Sequence, residues 1–197
     1  MLRDLYVTRG PAAAFFQVGL FAGGFAALVP VLKPQAGLGD AAFGFALLVA
    51  SLTAMGAMAL APVVARLLGR QRIAWLMGLL AFAALFPGAS QSGLTFAVTM
   101  SFAIGASAVL DVTMNARVSE LEGASGRPLM NLNHGIFSLA YAVSALLVGL
   151  AREAGLGPVT IFALISLAGL GLIAQTVAAT GADSDAAPED SPEQKAA

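Results

Sequence analysis

The sequence predicts an all-α integral membrane protein, a bundle of six transmembrane helices. Three observations carry that prediction. Hydrophobic residues make up 58% of the chain and charged residues 11%, with a mean hydropathy of +0.85. A soluble domain carries about 25% charged residues, so this chain lacks the charge to cover a water-facing surface. Mostly apolar stretches recur along it, and a bilayer crossing needs about 20 such residues. The turns between them are short and hold most of the charge outside the two termini.

The same composition excludes other classes. A net charge of -1 gives no electrostatic case for nucleic acid. With no cysteine and one histidine there is no disulfide, no thiolate metal site and no multi-histidine metal site within the chain. No cofactor motif is present, and no nucleophile–base pair points to an enzyme.

Residues 1–10 form a polar head. The first span is Pro11–Leu32; Pro11 suits the first turn of a helix, where its missing N–H costs nothing. Gly19 and Gly23 give it a small-xxx-small spacing that lets two helices approach closely. Pro30 and Pro34 bracket its end, with Lys33 at the interface. Asp40 is placed to cap the second span, Ala41–Ala61. Arg66, Arg70 and Arg72 fill the next turn. The third span, Ile73–Pro87, is the shortest and opens with Trp75 as an interfacial anchor.

Leu94–Met114, Leu129–Leu150 and Val159–Ala178 complete the six, so the bundle occupies residues 11–180. Residues 181–197 are acidic, contain prolines and hold no large apolar side chain; they read as a disordered tail or a truncated linker. Phe21–Ala27 and Phe102–Ala108 resemble each other weakly, as an inverted three-plus-three repeat requires.

Charge placement sets the orientation. The head, the turns after spans two and four, and the tail hold eight of the ten basic residues; only Lys33 and Arg152 lie opposite. The positive-inside rule then places both termini in the cytoplasm. The lipid bilayer is the first partner, and the plasma (inner) membrane the expected location.

The candidate site lies where spans four and five meet. Asp111 and Asn115 stand before the turn, and Asn131, Asn133 and His134 after it. Asp111 lies about 9 Å inside Arg117 and His134 about 10 Å inside Arg127, at 1.5 Å per residue. Asp111 and Asn115 share a face, as do Asn131 and His134, while Asn133 points elsewhere. An acid at that depth is costly unless it is paired or faces a wet cavity. In a cavity it can carry a proton; paired with His134 or a loop arginine it would tie two helices together. The residues alone leave both readings open.

The segments D-V-T-M-N at Asp111–Asn115 and G-R-P-L-M-N-L-N-H-G-I-F-S at Gly126–Ser138 resemble the helix four-to-five region of major facilitator superfamily (MFS) transporters, in particular fucose permease-like members. Gly37–Gly44 and the Gly69–Arg70 turn fit the same pattern. The resemblance covers about Ala12 to Ala178 and implies the N-terminal six-helix half of that fold. It implies a secondary transporter moving a small solute by alternating access, with proton coupling at Asp111 and polar cavity positions at Asn115 and Asn131. Two positions depart from the pattern. Arg66 stands where the loop motif has Asp, and the first span offers Gln17 where fucose permease carries an acid. The implied partners are a small-molecule solute and a second six-helix half, as further sequence, a separate chain or a second copy. The alternative function is a non-transporting membrane module that binds or stabilises a partner.

Overall fold

The computed structural model describes residues 2–185, with side chains as far as Thr180. Among these residues every regular element is helical: α1 Leu2–Val7, α2 Arg9–Gln35, α3 Asp40–Leu68, α4 Arg72–Ala83, α5 Gly93–Ser125, α6 Met130–Glu153 and α7 Pro158–Asp185. Short 3-10 turns at Gly69–Gln71 and Pro87–Ala89 precede and follow α4.

Among the described residues, five helical stretches are long and apolar enough to cross a membrane: Arg9–Gln35, Asp40–Ala89, Gly93–Ser125, Met130–Glu153 and Pro158–Thr180. The second of these contains α3, the Gly69 turn and α4. With 12 residues, α4 is about 18 Å long, shorter than a hydrocarbon core of about 30 Å. Its flanks are nonetheless tied to opposite ends of the bundle. Arg70, just before it, reaches the Thr180 carbonyl at the end of α7 (3.5 Å). Beyond it, Gln35 at the end of α2 donates to the carbonyls of Gly88 (2.8 Å) and Ser90 (3.0 Å).

Several helices outrun the apolar stretches that announce them. α5 continues past Met114 to Ser125 because its added turns carry Arg117, Glu120 and Glu122, residues that favour helix as well as water. Gly126 then ends it in the left-handed conformation (φ 65°). Pro30 and Pro34 lie inside α2 rather than bracketing its end. Pro30 removes the donor for the Ala26 carbonyl; one residue along, the Ala27 carbonyl accepts from Arg152 Nη1 at 2.7 Å. Asp40 is the first residue of α3 rather than its cap and pairs instead with Lys33. The polar head is helical from Leu2 to Val7, and Asp4 pairs with Arg127 of the α5–α6 turn at 2.6 Å. α7 continues to Asp185, so the acidic segment begins as helix; residues 186–197 lie outside the described residues.

The most extensive packings are α2 on α6 and α3 on α5, followed by α2 on α7, with α4 on α5 and on α7 close behind. Exchanging α2 with α5, α3 with α6 and α4 with α7 maps the first pair of packings onto each other. It also maps α2–α7 onto α4–α5, and this is the arrangement of an inverted three-plus-three repeat. At the α2–α6 crossing the backbones touch. A Cβ on Gly19 would stand 2.5 Å from the Phe137 carbonyl oxygen and 2.8 Å from Ala140 Cβ, and one on Gly23 would overlap the Tyr141 carbonyl. Ser144 of α6 donates to the Leu20 carbonyl at 2.7 Å, a side-chain bond across the seam.

Candidate functional site

Asp111 and Asn115 sit on one face of α5, both partly buried. Their spacing of four residues brings them into contact: Asn115 Nδ2 donates to the Asp111 carbonyl (2.8 Å) and to Asp111 Oδ1 (3.2 Å). Ser107, one turn before Asp111 and also partly buried, continues the same stripe. Sequence reasoning missed it, although its spacing of four from Asp111 is the signal.

Across the α5–α6 turn, Asn131 and His134 stand exposed on α6. His134 lies edge-on to Phe15 of α2, with ring centroids 5.2 Å apart and planes at 77°. Ser138, one turn on, donates to the His134 carbonyl at 2.9 Å. No hydrogen bond or ion pair joins Asp111 to His134; the side-chain partner of Asp111 is Asn115. The loop arginines are engaged elsewhere, Arg127 with Asp4 and Arg117 with Glu120. Asn133 turns the other way, fully buried, with Nδ2 donating to the Leu129 carbonyl at 2.9 Å.

Gln17 does not join this group. It is buried, and its Nε2 donates to the Met77 carbonyl of α4 at 2.9 Å. A Cβ on Gly169 of α7 would stand 2.5 Å from that nitrogen, so the amide fills the notch that Gly169 leaves. Phe15 and Gln17 are two residues apart and therefore point to opposite sides of α2. One meets His134; the other is enclosed by α4 and α7.

The turn between the two site helices is held by Glu122, which the sequence reading passed over. Its Oε2 accepts from the backbone N–H groups of Leu129 (2.9 Å) and Met130 (2.8 Å). These are donors that the start of α6 leaves without helical partners, and a carboxylate there also meets the positive end of the helix dipole. The Gly69–Arg70 motif lies at the same end of the bundle. Gly69 adopts φ 62°, a conformation that favours glycine, and ends α3 so that Arg70 and Arg72 can follow in a tight turn. Among the described residues no group of three His, Cys, Asp or Glu side chains is placed to hold a metal ion.

An apolar helical bundle that leaves a half-buried carboxylate and amide on α5 and an exposed amide and imidazole on α6 defines a polytopic helical membrane protein. An uncharacterized MFS-type transporter of Yersinia pestis is 34% identical over 148 residues, which are 75% of this chain and 38% of that protein. An uncharacterized transporter of Sinorhizobium fredii is 31% identical over 151 residues, 74% of this chain and 39% of that one. No family model matches the chain, and no solved structure matches it. The chain belongs to the major facilitator superfamily. It spans about two-fifths of the length of the curated relatives it matches.

Proposed function

We propose that this chain forms the N-terminal half of a secondary transporter, moving a small polar solute by alternating access with Asp111 as the proton-coupling group. The observation that carries the reading is the open face of α5 and α6. Asp111 and Asn115 are half-buried, and His134 and Asn131 are exposed, all on helices long and apolar enough to cross a membrane. Lipid cannot satisfy those groups, whereas a second half packed over the face would enclose them in a wet cavity. The relatives leave room for such a half, since the matched region is under half of their length. In this reading α4 and the Leu85–Gly88 stretch make a sixth crossing, because the flanks of α4 are tied to opposite ends of the bundle.

Reconstitution tests the need for a second half. Proteoliposomes containing only this chain, held monomeric, are expected to show no solute uptake, and adding the matching half should restore it. Uptake by the monomer alone would overturn the reading. A stoichiometric partner that supports no flux with any solute would select a non-transporting module instead.

Sidedness is tested by single cysteines in a background that has none. Gln91 is the outer probe, since Ser90 is buried and shares a hydrogen bond with Thr99 at 3.0 Å. Gln91→Cys is expected to react with an impermeant maleimide on intact cells, and Ser125→Cys only after the membrane is opened. The reverse pattern refutes the proposed cytoplasmic termini.

A further inference from the structure

The Gly69–Arg70 turn opens onto a cleft of about 200 Å³ at the end of the bundle opposite Gln35 and Gly88. Three arginines line it from three different elements: Arg70 from the turn, Arg72 from the start of α4 and Arg117 from α5. None of its described lining residues is acidic; the remaining walls are apolar or carry the hydroxyls of Thr176 and Thr180. Glu120 stands beside the arginines, 3.1 Å from Arg117 and 3.7 Å from Arg72, and holds those two guanidinium groups in place. Arg70 is exposed, lines the cleft and makes a long bond to the Thr180 carbonyl (3.5 Å).

We propose that this cleft binds a phosphate group, the chemistry shared by an anionic phospholipid headgroup and the free ion. Guanidinium forks match phosphate oxygens in paired hydrogen bonds. Like charges brought together against apolar walls repel one another, and a bound anion relieves that repulsion. The cleft lies where membrane-crossing helices end, the level of a phospholipid headgroup, and basic pockets between such helices bind anionic headgroups. This inference is independent of the proposed transport, since neither Asp111 nor Asn115 lines the cleft.

The test uses the full chain in nanodiscs of phosphatidylcholine with and without phosphatidylglycerol. Phosphatidylglycerol retained on the protein is read by native mass spectrometry, and stability by melting. Wild type is expected to retain phosphatidylglycerol over phosphatidylcholine, and Arg70→Gln/Arg72→Gln to lose that preference about 30-fold, the effect of two basic residues at a membrane surface. Should the double variant fold poorly, the exposed Arg70→Gln alone is expected to lose about 5-fold. Arg66→Gln, in the last turn of α3 and outside the cleft lining, should leave the preference intact. Inorganic phosphate that raises the melting temperature of wild type but not of the double variant assigns the site to the free ion as well. Retention of phosphatidylglycerol without a phosphate response assigns it to the headgroup. Full retention by the double variant, or an equal loss in Arg66→Gln, overturns the proposal. So does a preference that appears only when the acidic residues 186–197 are removed, because the cleft would then be taken by the chain's own carboxylates.

Discussion

Gly23→Ala is expected to lower the melting temperature in detergent by about 10 °C, corresponding to about 3 kcal/mol of overpacking in a chain of this size. The added methyl would overlap the Tyr141 carbonyl, with the Tyr141 carbonyl carbon and Cα close behind. Backbone cannot rotate away as a side chain can, so relief requires α6 to move off α2 along the most extensive seam in the bundle. Gly24→Ala is milder, because its first obstacle is the end of the Ile165 side chain. Gly56→Ala is the control: nothing lies within 4 Å of the new methyl, and a mid-helix alanine there is neutral or slightly stabilising. Equal melting of Gly23→Ala and Gly56→Ala would show that the α2–α6 backbones do not touch.

Under the proposed coupling scheme, Asp111→Asn is expected to abolish proton-driven solute accumulation once the second half is supplied, a loss of about 100-fold or more. Solute exchange survives, and melting changes little. The geometry separates this outcome from a structural one. Asp111 receives its side-chain hydrogen bond from Asn115 Nδ2, and an asparagine carbonyl oxygen accepts it equally well. No ion pair is broken, since none joins Asp111 to His134 or to a loop arginine. A structural tie would behave otherwise: Asp111→Asn and His134→Ala would each lower the melting temperature, without an additive penalty together. Accumulation that retains its normal dependence on pH in the asparagine variant would remove Asp111 from the coupling scheme.

Five membrane-crossing stretches were legible because an apolar run reports its own burial in lipid, whereas the short span Ile73–Pro87 is not separated from α3 as a crossing of its own. A close-packing face on α2 was legible too, since Gly19 and Gly23 carry the spacing of a close helix crossing, but nothing in that spacing names α6 as the partner. Within one helix, geometry also sufficed: spacings of three and four placed Asp111 with Asn115 and separated Asn133 from His134. Gln17 shows where such reading stops. Its polarity marks it out, but which side of α2 faces α4 and α7 depends on helices brought in from elsewhere in the chain. Helix ends were hidden for a related reason. A turn such as Arg117–Glu122 is polar enough to read as loop, yet it extends α5, and Glu122 then reaches across the turn to start α6.

The exchange of partners between the two helix triplets has a consequence for how the protein is made. α2 does not rest against its immediate neighbour in the sequence; its main seam waits for α6, and the Ser144–Leu20 bond across it spans 124 residues. At about 5–20 residues per second, a ribosome takes roughly 6–25 seconds to supply that partner. Gln17 waits a shorter time, for the Met77 carbonyl 60 residues on. Through that interval the glycine groove of α2 must lie against lipid or the insertion machinery. Slowed elongation between α2 and α6 would prolong this exposed stage and give proteases of the membrane their opportunity.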